Sequence, residues 1–97
     1  MEDRFRTLRE ATVRAVLEGP GTTSPELRQA LARGEPPDDL RVLVEKVRRH
    51  AYRVTDEDVA GLRDRYSEDQ LFEILIAASL GAAEDQLRAG LQALEQA

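Results

Sequence analysis

The chain has 97 residues and no cysteine, which excludes disulfides, thiolate metal sites, iron–sulfur clusters and thiol nucleophiles. Its length suits a single domain, residues 1–97, with a modest core. With two Phe, two Tyr and no Trp, that core has to be built from Leu, Val, Ile and Ala, which favours packed helices over a sheet sandwich. The formal net charge of −5 disfavours nucleic acid as a partner, because phosphate contact requires a positive face. The opening MEDRFRTLREA has no apolar segment of the secretory type, so a cytoplasmic setting is expected.

From Asp3 to Glu18, Phe5, Leu8, Val13, Val16 and Leu17 recur at helical spacing, predicting a first helix that Gly19-Pro20-Gly21 ends. Ser24-Pro25-Glu26 supplies an N-cap, a proline suited to the first helical position and an acid near the positive helix end. A short helix to Arg33 follows and stops at Gly34. After the Pro36-Pro37 turn, Asp38 and Asp39 open a third helix with Leu40, Leu43, Val44 and Val47 on one face, ending between His50 and Arg53. Thr55 and Asp58 read as a capping box, with Val54 and Val59 as its hydrophobic staple, and open a short fourth helix. Ser67 and Gln70 repeat the device with Tyr66 and Leu71 as the staple pair.

The last helix, from Glu68 to about Glu95, contains the most apolar stretch of the chain, Ser67 to Ala83. Leu71, Phe72, Ile74, Leu75, Ile76, Ala77, Ala78 and Leu80 leave it almost no polar side, so it is expected at the centre of the core with the other helices covering it. The run is too short to span a bilayer, and no membrane partner is expected. Gly81, flanked by Ala78, Ala82 and Ala83, suggests a close helix crossing, and a break near Ala89-Gly90 is the alternative place for a helix-weakening glycine. The fold class is therefore all-α: a compact bundle of about five helices around a central apolar, Ala-rich helix, with residues 1–36 covering a unit formed by 37–97.

Glu73 is the one charge in that stretch. A carboxylate among apolar neighbours can have a raised pKa and serve as an acid or base; the competing reading is an ion pair with an arginine, for which Arg48, Arg49, Arg53, Arg63 and Arg65 are candidates. His50, the single histidine, sits near a helix end, where a cation is favourable on its own account, and one His without Cys makes no standard zinc site. Arg48, Arg49, His50 and Arg53 with Tyr52 form a small basic patch that reads as a solvated helix end. No nucleophile elbow, P-loop, dinucleotide fingerprint or EF-hand loop is present, and no cofactor or metal is expected.

The segment from Leu43 to Leu94, through VTDEDV (Val54 to Val59), Leu62, SEDQLFE (Ser67 to Glu73) and the Ala-rich helix ending in AGL, resembles part of the alkylhydroperoxidase D-like and carboxymuconolactone decarboxylase superfamily. The resemblance covers about half of the chain. It implies an all-helical, oligomeric unit; the peroxidase members carry a C-x-x-C pair, which this chain lacks, so their thiol chemistry does not carry over. The leading expectation is a non-catalytic domain acting through protein–protein contact or self-association, with Ala77, Ala78, Gly81 and Ala82 as its interface. The alternative is a cofactor-free acid–base enzyme of the decarboxylase type using Glu73 and His50 with Tyr52 or Tyr66, a small-molecule ligand being unspecified. A third reading, an arginine-based adaptor for an acidic partner or nucleic acid, would show salt-dependent binding.

Overall fold

The computed structural model describes the backbone of residues 2–96 and the side chains of residues 6–96 other than that of Tyr52; Phe5 and Tyr52, both assigned roles above, lie outside the described residues in that respect. The described residues form five α-helices and no strand: α1 (Glu2–Glu18), α2 (Pro25–Arg33), α3 (Arg41–His50), α4 (Asp56–Ala60) and α5 (Glu68–Gln96). One-turn 3-10 helices, Asp38–Leu40 and Ala51–Arg53, lie on either side of α3. Among the described residues no helix is long and apolar enough to cross a membrane.

The capping signals at Ser24, Thr55 and Ser67 act where the sequence places them, whereas the third helix, expected from Asp38, becomes α-helical only at Arg41, after the 3-10 turn. Ser24 accepts the Leu27 amide at 3.1 Å with Pro25 at the first helical position. Gly34 ends α2 in the left-handed region (φ 77°), a conformation that costs glycine nothing and any Cβ-bearing residue about 1 kcal/mol or more. Thr55 and Asp58 exchange both bonds of a capping box, and Asp58 also takes the Lys46 ammonium of α3 at 2.8 and 3.0 Å. At the start of α5, the Ser67 amide donates to Gln70 Oε1 at 2.9 Å and the Gln70 amide to Ser67 Oγ at 3.1 Å.

The core joins α2, α3 and α5. Leu31 of α2, Leu40 before α3, Leu43, Val44 and Val47 of α3, and Leu71, Ile74, Ala77 and Ala78 of α5 are all buried. Gly81 lets α2 and α5 cross closely: a methyl group built on it would lie 2.6 Å from the Cα and 2.7 Å from the carbonyl carbon of Ala32. Arg48 of α3 seals this crossing by donating to the Ala32 carbonyl at 3.1 Å and to the Asp85 carboxylate of α5.

α5 is unbroken from Glu68 to Gln96, close to the expected extent, so the alternative of a break near Gly90 does not occur; a single glycine costs a helix only about 1 kcal/mol. One expectation is corrected: α5 is not wrapped on all sides. Leu71, Ile74, Ala77, Ala78, Gly81 and Ala82 form its buried stripe, whereas Phe72 is 64% and Ile76 39% exposed. The covering material runs out: α4 has five residues and rests on α3, and α1 reaches α5 chiefly where Arg9 pairs with Glu84 at 3.4 Å.

The two glycines of α5 should respond oppositely to alanine. Gly81→Ala is expected to lose about 1–3 kcal/mol, because the new methyl meets backbone rather than a side chain that could turn aside. Gly90, with nothing of its own chain within 4 Å of an added methyl, should gain up to about 1 kcal/mol from helix propensity in the isolated chain; urea denaturation of both variants at high dilution checks the pair.

Candidate functional site

Glu73 leans from α5 into the loop between α1 and α2. One carboxylate oxygen, Oε2, accepts the Thr22 amide at 2.7 Å and the Thr22 hydroxyl at 2.8 Å. The other, Oε1, accepts the Thr23 amide at 2.8 Å and the Thr23 hydroxyl at 2.5 Å. Gly21 completes the cradle, since a Cβ there would stand 2.8 Å from Oε1. These partners replace the arginine partners considered from sequence, three of which are engaged elsewhere: Arg48 on Ala32 and Asp85, Arg63 on Glu68, Arg65 on Asp39.

Beneath the same loop lies Arg28, 4% exposed, whose guanidinium donates to the carbonyls of Val16 at 2.6 Å, Gly19 at 2.5 Å and Thr23 at 3.3 Å. Val16 is in the last turn of α1 and Gly19 follows it, so the cation lies against the negative end of that helix and satisfies carbonyls that have no helical partner. Thr23 links the two charges: its amide and hydroxyl donate to Glu73 while its carbonyl accepts from Arg28. The importance of Arg28 was not read from the sequence, although its place three residues before the buried Leu31, on the same helix face, is the signal that could have found it.

Four donors on one carboxylate favour its charged form. The Thr23 hydroxyl first, then the Thr22 and Thr23 amides and the Thr22 hydroxyl, bring the Glu73 pKa from 4.5 to about 2. A raised pKa, which would suit an acid–base role, is therefore not what this environment produces. Tyr66, whose hydroxyl donates to Asp39 Oδ2 at 2.8 Å, has its pKa pushed up by burial and by that carboxylate. His50 is exposed at the end of α3 and borders a shallow cleft with Val42, Glu45, Lys46, Arg49 and Arg53. A larger cleft of about 660 Å³ between α1, α2 and α5 is lined by Val13, Leu17 and Leu80 with a charged rim that includes Arg33, Glu84 and Arg88. Glu73, His50 and Tyr66 line no part of it.

Ala77, Ala78, Gly81 and Ala82, expected to form an interface, are buried by the chain itself. Close helix approach does occur there, but the approaching helix is α2. The exposed apolar surface lies on the far side of α5. Phe72, Ile76, Leu87, Leu91 and Leu94 are 39–74% exposed. At 3.6 residues per turn Phe72, Ile76, Ser79, Ala83, Leu87, Gly90 and Leu94 share one face, roughly opposite the buried stripe and about 33 Å long.

Comparison with protein-family models, curated proteins and solved structures returns no match for this chain.

Because the folded-state pKa of Glu73 is below the unfolded one, its contribution to stability is present above pH 4.5 and lost as the pH falls towards 2. Glu73→Gln should lower the melting temperature at pH 7, weaken hydrogen-exchange protection of the Thr22 and Thr23 amides, and flatten the loss of stability between pH 4.5 and 2; calorimetry across that range reads all but the exchange. Arg28→Met, which keeps the apolar stem but strands three carbonyls, should cost about 3 kcal/mol at roughly 1 kcal/mol per lost bond, measured by urea denaturation at pH 7.

Proposed function

We propose that this domain works by contact with another protein chain rather than by catalysis, and that the contact surface is the uncovered face of α5. The observation that carries the reading is the contiguity of that face. Leu8 and Val42 are also well exposed, but they are scattered singly, as happens on any protein surface. The α5 face instead places Phe72, Ile76, Leu87 and Leu94 in line, and folded monomers rarely leave a large contiguous apolar patch without a use for it.

The acid–base alternative is less well supported. It needs a base of ordinary strength close to a second titrating group, whereas Glu73 is saturated with donors and has a pKa of about 2. The similarity of residues 43–94 to the alkylhydroperoxidase D-like superfamily belongs to the same proposal: a cysteine-less relative that keeps a helical unit and dispenses with thiol chemistry, in a cytoplasmic setting.

Replacing Phe72 with photoreactive benzoylphenylalanine tests the contact role in living cells. Irradiation should give a discrete covalent adduct with a protein from position 72 and none from position 57, on the exposed surface of α4. No adduct at 72, or equal labelling at both positions, would remove the proposal.

A further inference from the structure

We infer that the chain docked on this face is a second copy of the same protein, its α5 running antiparallel to the first about a two-fold axis at Ala83. The inference rests on the contact role proposed above and names the partner. Ala83 is the midpoint between Phe72 and Leu94, the two most exposed large apolar residues of the stripe at 64% and 74%. Reversing the helix about it sets Ile76 against Gly90 of the second copy, Leu87 against Ser79, Ala83 against its own counterpart, and Phe72 against Leu94. Large side chains thus meet small ones along the centre, the arrangement that fills an interface between two helices. A parallel pair in register would instead stack Gly90 on Gly90 and Ser79 on Ser79, leaving gaps between layers of bulky residues.

Two further observations support the pairing. The charged residues between Phe72 and Leu94 stand off the stripe and have partners in their own chain. Glu73 is held by Thr22 and Thr23, Glu84 by Arg9, and Asp85 by Arg48 and Arg88, so no bare charge has to be buried. The apolar side chains that would meet are Phe72, Ile76, Leu87 and Leu94 of each copy, with Leu91 at the edge of the stripe. The half of α5 beyond Asp85, exposed throughout its described length, would lie along the half of the other copy that α2 and α3 support from behind. Opposed helix dipoles favour the same sense.

Sedimentation equilibrium of the full chain should give a dimer. Leu87→Glu should weaken it at least 100-fold while leaving helicity and melting temperature of the dissociated chain unchanged, because Leu87 takes no part in the core of its own chain. The absence of native cysteine makes orientation directly readable. When Phe72→Cys and Leu94→Cys chains are mixed and oxidised, they should form the mixed disulfide, and Leu94→Cys alone should not cross-link to itself. A chain that stays monomeric at millimolar concentration overturns the inference, as does efficient Leu94→Cys self-cross-linking. Neither result touches the contact role, which stands if the photo-adduct at position 72 contains a different protein and falls only if no specific adduct forms.

Discussion

The arrangement of the molecule depends on how closely α2 lies on α5. At Gly81 the two helices meet backbone to backbone, without the layer of side chains that usually separates helix axes by 8–10 Å. That closeness brings Leu31 of α2 and Ile74 of α5, both fully buried, into one core. It puts the Ala32 carbonyl within reach of Arg48. It also holds the loop before α2 over the first turns of α5, where Glu73 receives it.

The charges inside the fold organise backbone. Arg28 closes the end of α1, Glu73 gathers the amides and hydroxyls of Thr22 and Thr23, and Thr23 joins the two. Each charge is compensated by dipoles rather than by a counter-ion, and each ties a segment without regular structure to a helix. The group that looked most available for acid–base chemistry is thereby the one most fully occupied with holding a loop. What remains open to a partner is apolar: α5, at 29 residues, is longer than the rest of the chain can cover, and its second apolar face is left to solvent.

Much of the framework was legible because it depends on neighbouring residues alone. Ser24, Gly34, Thr55 with Asp58, and Ser67 with Gln70 cap helices through bonds that span at most a few positions, so residue type and spacing suffice to read them. Gly81 was legible as a crossing point from the small residues around it. The partners of Glu73 were not. They stand 50 and 51 positions away, and a hydroxyl-bearing loop competes with arginine for a carboxylate in a way that no local pattern reveals. Arg28 escaped notice for the same reason, its ligands being carbonyl oxygens that every residue possesses.

By itself, the sequence determined that the chain would be helical, where most of its helices start and stop, and which helix would carry the core, because capping, helix propensity and apolar periodicity act over a few residues. Only the tertiary structure decided which side of that helix the core would use. Residues 71–82 are apolar almost all round, and local pattern cannot distinguish a face that will be covered from one that will not. The choice fell to the close crossing with α2, which buries Ala77, Ala78, Gly81 and Ala82 and turns Phe72, Ile76 and Leu87 outward.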